Sequence, residues 1–221
     1  MSFSAVYFDC DSTLSRIEGI NELARVLDPP RRAELEELTD RAMNGEAPLD
    51  EVYGRRLAMV TPTREDVERI GRVYVEEAVP HTREVVAALQ AAGKICGIVS
   101  GGLRPAVAIL ARHLGVADEH VHAVDIEFDA DGRYRDFDRG SPLSRNGGKT
   151  EVLRGVDVRP LAFVGDGVTD LEARDVVDLF VGFGGVVRRK AVADAAEVYI
   201  DEPDLRPLLD IVLTKRERAD S

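Results

Sequence analysis

Short runs of apolar residues recur along the chain, and each stops at a small or acidic residue. They fall at 5–8 before Asp9, 95–99 before Ser100, 161–164 before Gly165-Asp166, 179–181 before Gly182 and 197–200 before Asp201. A strand with one wet face alternates apolar and polar side chains. A run without that alternation is buried on both faces, the habit of a parallel sheet covered by helices. Helical patterns lie between the runs, at 82–92 ending at Gly93, 104–114 ending at Gly115, 169–176 and 188–196. Strands alternating with helices specify an α/β chain built on a doubly wound parallel sheet.

Two segments break the alternation. Residues 17–78 contain no strand-like run but carry amphipathic stretches at 20–27, 31–43, 49–59 and 64–77, separated by turn residues at Asp28-Pro29-Pro30, Asn44-Gly45 and Thr61-Pro62. They form a small helical insert after the first strand, dividing the chain into a core of 1–16 and 79–221 and an insert of 17–78. Residues 121–128 and 134–137, joined by Asp129-Ala130-Asp131-Gly132, read as a β-hairpin on an Asp-Gly turn. The Lys215-Arg216-Glu217-Arg218 end reads as a solvated tail.

Charge narrows the partners. With 29 Lys and Arg against 41 Asp and Glu, the net charge of −12 excludes a broad nucleic-acid footprint, because phosphate backbones attract cations. No apolar stretch approaches a membrane span, and the N-terminal residues lack the basic region and long apolar run of a signal peptide. Two cysteines, Cys10 and Cys96, make neither a disulfide framework nor a zinc set. The expected address is cytoplasmic, with monomer and homodimer both left open.

The chemistry gathers at the strand ends. Open parallel sheets bind ligands at the carboxyl ends of their strands. Those ends carry Asp9 and Asp11, Ser100-Gly101-Gly102, and Asp166 with Asp170. Carboxylates crowded into one crevice repel unless some protonate or a cation intervenes. Mg2+ suits a few carboxylates together with a phosphate. Lys149, at a predicted helix start, adds a local positive charge.

Asp9-Cys10-Asp11-Ser12-Thr13, Ser100-Gly101-Gly102, Lys149 and Gly165-Asp166-Gly167-Val168-Thr169-Asp170 stand in the order typical of the haloacid dehalogenase-like hydrolases. The chain resembles their phosphoserine phosphatase branch over nearly its whole length. Glu18, Arg41-Ala42-Met43, Arg56-Leu57, Gly147-Gly148-Lys149 and Gly182-Phe183-Gly184-Gly185 extend the match. The resemblance implies a Rossmann-like core with a helical cap, and Mg2+-dependent hydrolysis of O-phospho-L-serine in serine biosynthesis through an aspartyl-phosphate. Asp9 would be the nucleophile and Asp11 the general acid and base. The metal would be held by Asp9, the Asp11 main-chain carbonyl and Asp166, with Asp170 in or just behind that set. Ser100, Gly101, Gly102, Lys149 and Thr169 would hold the phosphoryl group. In the cap, Glu18 suits the substrate ammonium, Arg56 its carboxylate, and Met43 packs the serine backbone. Three positions depart from the family pattern. Leu49 replaces a Phe that closes over the substrate, and His81 replaces a Gly at a turn. Asn44 replaces a Gly beside the phosphate or serine pocket, where its amide would join the substrate-binding set by hydrogen-bonding the substrate, or narrow the site.

Other readings are weaker. Cys10 to Arg16 fits a Cys-x5-Arg phosphatase, but flanking Asp9 and Asp11 would raise the thiol pKa. Gly148-Lys149-Thr150 lacks the upstream Gly of a P-loop, where Leu143 stands, and His120 with His122 has no third metal ligand nearby. A receiver-type signalling module uses similar residues without turnover, and a phosphatase of another small phosphorylated metabolite is the main rival.

Overall fold

The computed structural model describes residues 2–220. The main chain runs through β1 (Ala5–Phe8), α1 (Gly19–Leu23), α2 (Pro29–Met43), α3 (Leu49–Val60), α4 (Arg64–Glu76), α5 (Thr82–Ala91), β2 (Ile95–Leu103) and α6 (Arg104–Leu114). It continues through β3 (Val121–Val124), β4 (Ile126–Phe128), β5 (Tyr134–Phe137), α7 (Gly148–Arg154), β6 (Leu161–Gly165) and α8 (Val168–Leu171). It ends with β7 (Leu179–Phe183), α9 (Lys190–Ala195), β8 (Val198–Ile200), α10 (Pro207–Val212) and α11 (Lys215–Asp220).

Six parallel strands form one sheet in the order β3-β2-β1-β6-β7-β8. The order reverses direction between β1 and β6, and such a switch point opens a crevice beyond the carboxyl ends of the two strands. Registers of Phe8 with Val164 and of Phe8 with Ile98 bring the three central strands level there. Ala5 to Phe8 and Leu161 to Val164 are almost fully buried, as unbroken apolar runs require.

Between β1 and β2, α1 to α4 form the helical insert. Asp28 caps α2 by accepting from the Arg31 amide at 3.1 Å, and Thr63 and Asp66 cap α4 reciprocally. Buried Val67, Ile70, Gly71 and Tyr74 recur every three to four residues on α4, a stripe that packs against α6. His81 takes a left-handed conformation, φ 65°, ahead of α5, and its Nδ1 lies 3.2 Å from Asp204 Oδ2. Its departure from Gly therefore bears on the turn.

Several local expectations change. Residues 121–128 are not one hairpin arm. Val121–Val124 joins the main sheet parallel to β2, and only Ile126–Phe128 pairs with Tyr134–Phe137. The apolar half pairs with the buried sheet, whereas the half-exposed residues beyond Asp125 pair locally. The second strand runs on to Leu103, so Ser100-Gly101-Gly102 lie within it. The pattern at 169–176 yields only a four-residue α-helix and a separate 3-10 turn at Arg174–Val176. The basic end is not a free tail: Glu217 of α11 pairs with Lys94 and accepts from Ser2 Oγ at 2.8 Å. Lys94 is buried, and that partner recruits the helix.

Candidate active site

At the end of β1, the Asp9 amide still bonds Val164 O at 2.9 Å, so the nucleophile candidate stands at the rim of the sheet beside β6. The main chain then turns through Ser12, φ 54°. At the end of β6, Gly165 admits Asp170. A Cβ on Gly165 would lie 2.3 Å from the Asp170 Cγ, so any side chain there would expel that carboxylate. Asp170 Oδ2 accepts from the Gly167 amide at 2.9 Å, which fixes it at the start of α8.

Lys149, in the first turn of α7, joins the two acidic strand ends. Its Nζ lies 2.7 Å from Asp9 Oδ1 and 2.6 Å from Asp170 Oδ1. The second contact is an aligned hydrogen bond, while the first is an ion pair without that alignment. Burial opposes the Lys149 charge, but Asp170 and Asp9 outweigh it and hold the ammonium above its usual pKa. Burial, then the charges of Asp170 and Asp166, hold the Asp9 carboxyl well above the usual carboxylate range despite Lys149. Burial and Asp170 push Asp166 up to about 7, opposed by Arg189 and Lys149.

Asp9, Asp166 and Asp170 each offer an oxygen within 4.8 Å of the other two. Around them stand five carboxylates, counting Asp11 and Glu18, and three cations, Lys149, Arg56 and Arg189. The excess of two negative charges, together with the raised carboxyls, fits a divalent cation with a preference for oxygen. The expected ligands Asp9 and Asp166 belong to this cluster together with Asp170.

Asp11 is engaged elsewhere. Its Oδ1 accepts from the Gly19 amide at 2.6 Å and from the Tyr74 hydroxyl at 2.7 Å. Burial raises its pKa and these two hydrogen bonds pull it back. Asp9 and Asp11 thus share a loop but not an environment.

One pocket collects most of the expected residues: Asp9, Asp11, Glu18, Met43, Arg56, Gly101, Gly102, Lys149 and Thr169. Gly19, Ile20, Leu49 and Tyr53 complete its insert side. Glu18 accepts from Ser12 Oγ at 2.8 Å, and burial with the charges of Asp11 and Asp166 pushes it up to about 8. Arg56 donates to Thr39 Oγ1 at 3.1 Å, and its buried Nε has no partner among the described residues. Ser100 is buried behind this wall, its Oγ accepting from the Gly102 amide at 2.9 Å. Asn44 is not part of the wall. Its Oδ1 accepts from Arg189 Nη1 at 3.2 Å, so the added amide binds a neighbouring side chain. Cys10 is fully buried and its thiol is pushed well up by burial and the two flanking aspartates, which disqualifies it as a thiolate nucleophile. His120 and His122 lie against Tyr7, away from this pocket.

Three further contributors carry no functional mark in the sequence. Arg189, buried just ahead of α9, lies 3.1 Å from Asp166 Oδ2 through Nε and 3.9 Å from Glu18. Tyr53 donates to Gly101 O at 2.8 Å, tying α3 to the glycines of β2. Tyr74 bonds Asp11. Nothing in the pattern distinguishes Arg189 from its neighbour Arg188, and the two tyrosines carry only the helical period of a buried face.

The haloacid dehalogenase-like hydrolase family model matches residues 6–174. The phosphoserine phosphatase of Mus musculus is 37% identical over 205 residues, covering 91% of this chain and 90% of that protein. A phosphoserine phosphohydrolase-like protein from Francisella tularensis superposes with a TM-score of 0.85 at 22% identity, over 96% of this chain and all of that one (100%). A substrate-bound phosphoserine phosphatase superposes at 0.81 with 25% identity, again over 96% of this chain and 100% of the other. The order of the acidic, glycine and lysine motifs, their convergence at the switch point and these likenesses agree: the chain belongs to the haloacid dehalogenase-like hydrolases, in the family of the phosphoserine phosphatases.

Proposed function

We propose that the protein is a Mg2+-dependent phosphatase that hydrolyses O-phospho-L-serine to L-serine and phosphate in serine biosynthesis, and that residues 17–78 act as a cap over its site. A reducing, cytoplasmic compartment suits its two free, buried cysteines. The observation that carries the reading is the single pocket in which Asp9 and Lys149 face both Glu18 and Arg56. Such a wall reads a phosphate, an ammonium and a carboxylate together. Arg56 has an unpartnered buried Nε to offer the carboxylate, and Glu18 has a carboxyl that an ammonium would return to its ionised form.

In the first step, a carboxylate oxygen of Asp9 bonds to phosphorus as the bond from phosphorus to the serine oxygen breaks. Asp11 gives its proton to that oxygen, and L-serine leaves. In the second, water attacks the aspartyl-phosphate, Asp11 takes back the water's proton, and the bond from phosphorus to the Asp9 oxygen breaks to release phosphate. Lys149, Thr169, Ser100 and the glycine amides of Gly101 and Gly102 hold the phosphoryl oxygens. For Ser100, buried behind the pocket wall, and for the Gly102 amide bound to its Oγ, this means exchanging their mutual hydrogen bond for contacts with substrate. Mg2+ held by Asp9, Asp166 and the Asp11 carbonyl, with Asp170 beside them, would supply positive charge to the phosphoryl oxygens. Leu49, Met43 and Tyr53 exclude water from the pocket while the phosphoryl group is transferred.

Phosphate release with and without Mg2+ tests the reading, comparing kcat/KM for phosphoserine, phosphoethanolamine and 3-phosphoglycerate. Phosphoethanolamine, which lacks the carboxylate, should be poorer by at least ~10-fold, the scale of one lost charged hydrogen bond. Arg56→Ala should erase that preference. Equal efficiency on all three substrates would make the protein a broad small-phosphoester phosphatase instead.

A further inference from the structure

A carboxylic acid that must protonate a leaving group has two oxygens, and only one of them can face the substrate. In Asp11 the choice is already made. Oδ1 accepts two hydrogen bonds, from the Gly19 amide at 2.6 Å and the Tyr74 hydroxyl at 2.7 Å, which occupy both of its lone pairs. Oδ2 accepts none among the described residues. It lies toward Gly102, where a Cβ would stand 3.2 Å from it, and Gly102 lines the pocket. A proton placed on Oδ1 would break one of the two bonds, so the acid proton belongs on Oδ2.

Tyr74 reaches Asp11 from the insert. Its side chain is 1% exposed, and Asp11 is the one partner of its hydroxyl among the described residues. Gly19 makes room for it: a Cβ there would come within 2.1 Å of the Tyr74 oxygen and 2.9 Å of Cζ. The same residue therefore supplies the amide to Oδ1 and the space for the hydroxyl.

We propose that Tyr74 is a positioning residue for proton transfer. With the Gly19 amide it saturates Oδ1 of Asp11 and presents Oδ2, with its proton, to the leaving oxygen of the substrate. This rests on the reading of Asp11 as general acid and base. Since Tyr74 belongs to α4, correct seating of the insert and readiness of the acid become one event.

Leaving-group dependence tests it. A serine alkoxide is a poor leaving group and needs the proton, whereas the acetate of acetyl phosphate leaves without one. Tyr74→Phe should lower kcat/KM for phosphoserine by about tenfold, the scale of one hydrogen bond to a charged group, and leave that for acetyl phosphate within about twofold. On phosphoserine alone, kcat should fall while KM holds. Gly19→Ala, which pushes the hydroxyl off from the other side, should reproduce the selectivity if the phenylalanine variant folds poorly, with the melting temperature of each as control. Equal losses on both substrates, a rise in KM with kcat held, or no loss would overturn the role of Tyr74. Asp11→Asn run alongside separates the two ideas. If it loses phosphoserine turnover while Tyr74→Phe does not, the acid stands and its positioning by Tyr74 falls. If Asp11→Asn keeps full turnover, both fall.

Discussion

Lys149→Met removes the cation from between two buried carboxylates while nearly preserving volume. Its Nζ lies 2.7 Å from Asp9 and 2.6 Å from Asp170, and all three side chains are buried. Deleting one partner of a buried ion pair costs about 3–5 kcal/mol, because the charge left behind has lost both water and partner. For a chain of this size each kcal/mol moves the melting temperature by roughly 2–4 °C, so the variant should melt about 6–20 °C lower. The deficit should grow with pH. Lys149 lowers the Asp9 pKa, and without it the folded-state value rises further above the unfolded one. A group shifted that way contributes stability at low pH that is lost as pH rises. Thermal melts of both proteins in EDTA at pH 5 and pH 8 measure this. Saturating Mg2+ should then stabilise the variant more than the parent, since a divalent cation relieves the same repulsion. A variant melting within about 2 °C of the parent at pH 8 in EDTA would mean that the lysine does not neutralise this cluster.

Asp9→Asn should abolish phosphate release and Cys10→Ser should leave it largely intact, as read by phosphate assay. Inactivation by thiol alkylation with Asp9→Asn still active would move the chemistry to Cys10. In EDTA the parent protein should lose stability as pH rises from about 4 to about 8, because Glu18 and Asp166 have folded-state values pushed up to about 8 and about 7. A melting series that is flat or rising over that window would refute this burial of charge. Glu217 is held down to about 2 by Lys94 and Thr214, so its contribution is present above its ordinary value near 4.5 and fades below it. Glu217→Gln should accordingly lower the melting temperature at pH 7 and by much less at pH 2.5.

The parallel sheet was legible because burial on both faces leaves an unmistakable mark, an apolar run with no alternation, and five of the six main strands carry it. The exception, Val121–Val124, reads in sequence as one hairpin arm with the residues after it but pairs with β2, because which neighbour a strand pairs with depends on a partner distant in the chain. The acidic and lysine motifs were legible for a similar reason, since each sits where a strand ends or a helix begins and the topology of an open sheet sends all such points to one crevice.

What stayed hidden depended on side chains meeting across the chain. Asn44 stands in the sequence beside the pocket motif, yet its amide is held by Arg189, 145 residues away in the chain. Tyr74 carries the spacing of a core residue, and its hydroxyl becomes chemistry only because α4 packs beside Gly19 and Asp11. Periodicity reports which face of a helix is buried. It is silent about the atom waiting there, because hydrogen bonds form over about 3 Å while a pattern resolves only a helix face. The chain's local order thus carries the fold and the motif positions. The orientation of Asp11, the pairing of Arg189 with Asp166 and the excess of negative charge in the acidic cluster arise only when distant segments are brought to contact distance.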